Sequence, residues 1–425
     1  MTLGRQMSCL KYYKRFADRV LAQRLKSAGA VVINGTKGCG KTETAAQIAG
    51  STVYLDTDEQ AKIRMELNPE SVLAGKVPRL LDEWQEYPKL WSYVRRAVDE
   101  RKKKGQFILT GSATPNDRAR LHSGAARFSV IKMRPMSLFE RGWSTGEVSL
   151  AALLQGEEPH AADVRFNLKE LAEKITLGGW PGLIGARASE GLRFASDYIS
   201  LIAEVDISRV SGIHRDPYKV TRLLQSVARN IATEVTLTTL ARDTGGSDGR
   251  LDDETVAEYL SALERLMTVE NLPAWSTHIR SAYTLRKSPK RHFVDPSLAV
   301  GALGLSVDKL AADLRYFGFL FESLAIRDLK IYAEADDGKV FHYRDSRGFE
   351  IDAIIEYANG DWGAFEIKLG FGSADAAAEN LLKFADTIDL TKVKAPSALT
   401  VITANGFAYR RPDGVNVVPL SVLTA

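Results

Sequence analysis

Gly35-Thr36-Lys37-Gly38-Cys39-Gly40-Lys41-Thr42 is the stretch that decides how this chain is read. Its spacing of glycines, lysine and hydroxyl is that of a backbone cradle for nucleotide phosphates. The apolar run Ala30-Val31-Val32-Ile33 ahead of it predicts a buried parallel strand, and Thr42 to Ala49 predicts the helix that follows. In such a turn the glycines let main-chain N–H groups point at the phosphates, and the helix N-terminus adds partial positive charge. Lys41 is suited to neutralise the terminal phosphates, and the Thr42 hydroxyl to ligate Mg2+. Every residue from Gly35 to Thr42 is therefore expected at a nucleotide.

A second signal follows about 40 residues later. Val77-Pro78-Arg79-Leu80-Leu81 predicts a strand that ends in Asp82 and Glu83. A carboxylate at a strand end can hold the Mg2+ shell, and the next one can orient or deprotonate the attacking water. These roles fall to Asp82 and Glu83 respectively, and the two motifs together indicate hydrolysis. Residues 84–101 predict a helix and 107–112 another strand. Thr110 and Ser112 at the end of that strand are candidates for sensing the terminal phosphate, with an ordinary Gly-Ser turn as the alternative.

The bulk properties set the frame. A chain of 425 residues, 45% hydrophobic and 26% charged, reads as soluble and multi-domain. No apolar run is long enough to cross a membrane, and the first ten residues lack the regions of a signal peptide, so a cytoplasmic protein without a membrane partner is expected. Two cysteines and six scattered histidines make neither a disulfide framework nor a zinc site. The net charge of +4 neither demands nor excludes nucleic acid.

Gly35 to Thr42, Leu80-Leu81-Asp82-Glu83-Trp84-Gln85, Leu109-Thr110-Gly111-Ser112 and Arg134-Pro135-Met136-Ser137-Leu138-Phe139-Glu140 together resemble the AAA-type ATPases. More narrowly, they resemble a prokaryotic family that joins such an ATPase to a nuclease-like C-terminal domain. The resemblance implies ATP as the nucleotide. It also implies an arginine reaching the site from a neighbouring subunit, hence a homo-oligomer. Arg127 is the foremost candidate for that arginine, although Ala126-Arg127 replaces the family's usual Gly-Arg; Arg118, Arg120 and Arg134 are the alternatives.

Residues 142–159 read as a polar boundary after the ATPase core. Helical spacing over 168–176 and 191–209 is interrupted by Gly178-Gly179-Trp180-Pro181-Gly182, best read as a turn with a docked tryptophan. Three further helices, at 220–231, 237–242 and 253–266, precede a strand pair at 267–275 and 282–286. That order suggests a winged helix with Lys287, Lys290 and Arg291 near the wing, and DNA as a partner.

In the C-terminal quarter, Asp352 and the Glu366-Ile367-Lys368 triplet match the Asp…Glu-x-Lys signature of restriction-endonuclease-like nucleases, and Glu322 supplies their additional acidic position. The resemblance implies a second Mg2+ or Mn2+ held by Asp352 and Glu366, with Lys368 placing the attacking water. Side-chain alternation adds a demand of its own. A two-residue loop at Asn359-Gly360 would put Asp352 on the wrong face of the sheet, so an odd-length loop or a bulge is required, with Gly360 left-handed. Glu322 lies among apolar helical neighbours and needs a partner: a metal, Lys368 or a buried hydrogen bond.

The expected fold is α/β, a P-loop parallel sheet with helices on both faces, a helical and winged-helix middle, and a C-terminal restriction-endonuclease-like domain. The expected divisions are 1–145, 160–215, 216–300 and 305–425. The expected function is ATP hydrolysis serving action on DNA, with a candidate nuclease domain; the alternative is a nucleotide-gated scaffold whose C-terminal domain binds DNA or protein without cutting.

Overall fold

The computed structural model describes residues 12–112, 124–163, 166–276 and 288–425. β1 (Ala30–Gly35), β2 (Ser51–Tyr54), β3 (Arg79–Asp82), β4 (Phe107–Gly111) and β5 (Phe128–Met133) form one sheet in the order β2-β3-β4-β1-β5, with every neighbouring pair parallel. β1 and β4 are apolar on both faces because helices cover both. Leu21 and Leu25 of the helix Phe16–Ser27 pack on Val31 and Ile33. Trp91 and Val94 of the helix Leu90–Arg101 pack in the cluster of Val32 and Leu81. The parallel register sets Asp82 beside Thr110 and Asn34 beside Gly111, so the phosphate loop and both motif strands end along one edge. The helix expected from Trp84 starts at Leu90, after a 3-10 turn Trp84–Glu86, because Pro88 withholds an N–H and biases Tyr87 away from helical geometry.

The middle of the chain is helical: Leu168–Leu177, Ala188–Leu201, Ile207–Ser211, Pro217–Arg229, Leu237–Gly245 and Asp253–Arg265. The strand Val269–Leu272 then pairs antiparallel with Lys290–Phe293. The partner strand expected at 282–286, like Lys287, lies outside the described residues. Two of the cations expected near the wing are buried. Lys290 and Arg291 are 3% and 6% exposed, because their strand is covered by the helix Leu314–Glu334 and by Val235.

The C-terminal elements run in the order αβββαβ: helix Leu314–Glu334, strands Lys339–Arg344, Glu350–Glu356 and Trp362–Lys368, helix Ala374–Asp386, strand Ala398–Thr403. Tyr409–Arg410 and Asn416–Pro419 extend the sheet to six strands of mixed direction. Its two faces are separately apolar. Ala353, Ile355, Phe365 and Ile367 join the core of the helix Leu314–Glu334, which is continuous with that of the middle helices. Ile351, Ile354, Trp362 and Ala364 pack with the helix Ala374–Asp386. The hairpin closes with Tyr357 N–H donating to the Asp361 carbonyl at 2.9 Å, which leaves a three-residue loop with Gly360 at φ +83°. That odd length meets the demand made by side-chain alternation, and a register shift between Ile351 and Ile354 adds a bulge on the other side.

The boundary expected at 142–159 is more than a linker. Val148–Ser149 pairs in parallel with Leu423–Thr424, and the Ser144 hydroxyl donates to the Leu423 carbonyl at 2.7 Å. Pairing this short, between residues so distant in sequence, leaves no periodic trace.

Candidate functional site

The phosphate loop has the shape its sequence requires. Gly38 and Gly40 sit at φ +74° and +99°, the left-handed region that glycine enters without strain. A Cβ at Gly35 would lie 2.4 Å from the Met133 carbonyl oxygen. Lys41 is 5% exposed and its ammonium donates to the Thr36 carbonyl at 3.0 Å, which holds the side chain along the loop. Backbone cradle and lysine thus fit a nucleotide's phosphates. Cys39 packs its thiol against the Met133 carbonyl at 3.7 Å and is fully buried.

The Thr42 hydroxyl donates to Asp82 Oδ1 at 2.8 Å, and the Thr110 hydroxyl donates to the same oxygen. Burial pushes the Asp82 carboxyl upward, and these two hydroxyls oppose the shift. Hydroxyl and carboxylate oxygens side by side suit Mg2+, so Thr42 and Asp82 are the residues that would hold it. Glu83 takes a left-handed backbone, φ 52°, uncommon for a residue with a side chain and frequent at functional sites. Its carboxylate accepts from Ser112 Oγ at 3.2 Å and from the Gln85 amide. Thr110 therefore touches one acidic residue and Ser112 the other.

The arginines separate. Arg127 is at the opposite end of the sheet from its own loop: its carbonyl accepts from the N–H groups of Gly29 and Ala30, where β1 begins, and its side chain pairs with Asp99 at 2.9 Å. Arg134 is buried between Glu270 at 3.0 Å and Glu334 at 2.7 Å, a clamp between the ATP-binding sheet and the rest of the chain. Arg118 and Arg120 lie outside the described residues.

The C-terminal set assembles around two lysines. Lys368 Nζ lies 3.2 Å from Asp352 and 2.5 Å from Glu366, and the Ile367 N–H donates to Asp352 Oδ2 at 2.9 Å. Asn380 donates to Glu366 at 2.7 Å. Of the partners expected for Glu322, the buried hydrogen bond is the one present: the Lys290 ammonium donates to it at 2.8 Å and also lies 2.6 Å from Glu350 and 3.6 Å from Asp352. A cleft of about 520 Å³ opens over these groups, with Arg315 and Arg344 on its wall. Burial raises the Glu322 carboxyl to about 7, and burial with the nearby Asp352 charge raises Glu366 to about 8. Asp352 is also penalised by burial, yet Lys290 and Lys368 hold it below the usual carboxylate range. Among the described residues no three His, Cys, Asp or Glu side chains are arranged to hold a metal ion. As arranged, then, Asp352 and Glu366 do not form a ligand set for the expected second metal, because ammonium groups fill the spaces between the carboxylates.

Residues 27–141 match the family described as "AAA domain". The first domain is a P-loop AAA-type ATPase domain. Behind the AAA-type domain, residues 168–309 match a "Domain of unknown function (DUF8612)" and residues 317–423 a "Domain of unknown function (DUF4143)". Two curated relatives, the uncharacterized proteins Rv2008c of Mycobacterium tuberculosis and Mb2031c of Mycobacterium bovis, are each 25% identical over 375 residues, 85% of this chain and 75% of theirs. Among solved structures, the Walker-type ATPase PABY2304 of Pyrococcus abyssi is similar at 14% identity and TM-score 0.43, over 69% of this chain and 96% of that one. A DNA replication initiation factor aligns at 15% identity and TM-score 0.23, over 58% and 86%. Among the described residues no helix is long and apolar enough to cross a membrane.

Sequence reasoning missed Glu350 and Asn380, and it placed Lys290 near a wing and not at these carboxylates. Glu350 carried a signal, since it stands two residues before Asp352 on one strand. Lys290 carried none, because only tertiary packing brings it to the carboxylates.

Proposed function

We propose that this chain couples ATP hydrolysis in its AAA-type domain to action on DNA, and that its C-terminal domain is restriction-endonuclease-like, with Asp352, Glu366 and Lys368 as a phosphodiesterase set tuned by Glu322. One observation carries the second part: across the hairpin, the Lys368 ammonium bridges Asp352 and Glu366. Arg315 and Arg344 on the wall of the cleft suit phosphodiester oxygens.

In the ATPase half, bound Mg2+ would neutralise charge on the phosphates. Thr42 and Asp82 would hold it, Lys41 and the loop amides would orient the phosphates, Glu83 would take the proton of the attacking water, and Thr110 and Ser112 keep the two carboxylates in place. The remoteness of Arg127 from its own loop agrees with a role in a neighbouring subunit of a homo-oligomer. In the C-terminal half, Asp352 and Glu366 would supply oxygen ligands to Mg2+ or Mn2+ once the Lys368 ammonium between them, and Lys290 beside Asp352, give way.

Lys290 favours a second reading, in which the domain binds nucleic acid or protein without cutting, since a buried ammonium already neutralises the carboxylates. Incubating the protein with linear, circular and single-stranded DNA, with Mg2+ or Mn2+ and with or without ATP, separates the two. Cutting that disappears in Asp352→Ala supports the nuclease. Retained DNA binding with every substrate uncut leaves the second reading.

A further inference from the structure

The middle helices meet the AAA-type domain on the phosphate loop itself. Tyr198 OH shares a hydrogen bond with the Thr36 hydroxyl at 2.5 Å and donates to the Lys37 carbonyl at 3.1 Å. The Lys37 ammonium reaches Asp206 Oδ1 at 2.5 Å. Trp180, against the Tyr198 ring at 5.1 Å between centroids, stands 3.9 Å from where a Cβ on Gly38 would lie. Three residues beyond Asp206, Arg209 pairs with Glu86 in the turn that follows Glu83. Segment 198–209 therefore grips both the phosphate-binding loop and the turn after the hydrolytic carboxylate.

Two features make this grip sensitive to charge. The Asp206 side chain is 11% exposed whereas that of Lys37 is 46% exposed, so the carboxylate is held in the interface while the ammonium can turn elsewhere. Asp206 also ends a π-helical turn, Ile202–Asp206, between the helices Ala188–Leu201 and Ile207–Ser211. Such turns are single wide insertions in a helix and recur at functional sites.

We propose that segment 198–209 is a nucleotide-sensing latch, in which Asp206 and the phosphates of bound nucleotide compete for the Lys37 ammonium. Phosphates on the loop amides bring several negative charges close to Lys37. Drawing its ammonium toward them leaves Asp206 sheltered from water and uncompensated, which is costly for a carboxylate. The segment relieves that cost by loosening from the loop. Linkage then makes the effect reciprocal: whatever weakens the hold of Asp206 on Lys37 strengthens nucleotide binding. Tyr198, uncharged, positions the loop throughout.

The test reads binding and exchange rather than turnover. Affinity for a fluorescent ATP analogue and hydrogen exchange over 198–211 are measured for the wild-type chain, Asp206→Asn, Arg209→Ala and Tyr198→Phe. Asp206→Asn is expected to bind nucleotide roughly 5-fold or more tighter. In the wild-type chain nucleotide speeds exchange over 198–211, and in Asp206→Asn that response disappears. Arg209→Ala, an exposed change remote from the loop, shifts affinity in the same direction and keeps the test usable if Asp206→Asn folds poorly. Tyr198→Phe binds more weakly and keeps the response. Unchanged or weaker affinity in both Asp206→Asn and Arg209→Ala overturns the latch, as does wild-type exchange over 198–211 that nucleotide fails to raise.

Discussion

The Thr42 hydroxyl donates to Asp82 Oδ1 across 2.8 Å, joining the residue after the loop lysine to the end of β3. This contact gathers the two nucleotide motifs into one site, and it separates the roles of the residues around it. Lys41→Ala is expected to weaken nucleotide binding by about 100-fold or more, since it removes the cation aimed at the phosphates. Glu83→Gln is expected to keep binding and lose roughly 100-fold or more in hydrolysis. Equilibrium binding with a fluorescent nucleotide, alongside phosphate release, distinguishes the two outcomes.

Arg134 and Arg127 should part in a stability measurement. Removing the buried Arg134 guanidinium takes charged hydrogen bonds from Glu270, which keeps Lys132 and Lys330, and from the partly exposed Glu334, and Arg134→Ala is expected to cost about 1.5–3 kcal/mol in urea unfolding. Arg127→Ala, at an exposed pair with Asp99, should leave the unfolding midpoint unchanged. A slower ATPase in that variant, restored by mixing with Glu83→Gln subunits, would mark an arginine acting across an interface.

Lys290 distinguishes a metal site from a structural ion cluster. Lys290→Met leaves Glu322, Glu350 and Asp352 without their shared cation and is expected to cost about 3–5 kcal/mol. If those carboxylates can take a divalent ion, Mn2+ should restore much of the loss in a thermal melt of the variant and do little for the wild-type protein. A variant that Mn2+ leaves equally unstable argues for the non-cleaving reading.

His292 adds a pH signature. Burial, then the charges of Lys330 and Lys290, depress its imidazole well below the usual range; its Nδ1 lies 3.2 Å from Ser323 Oγ. The folded chain therefore keeps His292 neutral while the unfolded chain protonates it below about pH 6.5. Stability from this residue is present above that pH and lost as pH falls, by about 1.4 kcal/mol at about pH 5.5. The stability difference between the wild-type chain and His292→Asn, followed from pH 8 to pH 5.5, should move against the wild type by that amount.

Much of this was legible because local patterns carry it. Gly35 to Thr42 dictate a glycine-bent turn between strand and helix wherever they occur, and an apolar strand ending in Asp82-Glu83 points to the same edge of a parallel sheet. Alternation was enough to require an odd hairpin loop at Gly360. The misread cations show where such reasoning stops. Lys290 and Arg291 look like a basic wing in sequence, yet both are buried, Lys290 against Glu322 of a helix more than 20 residues later in the chain and Arg291 on the Val235 carbonyl. The buried hydrogen bond expected at Glu322 is present, but its donor, Lys290, is 32 residues away and left no local signal.

By itself the sequence determined the ATP-binding sheet, its loop and its acidic strand end, because hydrogen-bonding geometry and hydrophobic period act over a few residues. Only the tertiary structure decided that Tyr198 and Asp206 hold the phosphate loop, that Arg134 is a clamp, and that Lys290 fills the C-terminal carboxylate cluster. Those pairings join residues 32 to 200 positions apart, and buried charges select partners by proximity in the folded chain, which no local pattern encodes.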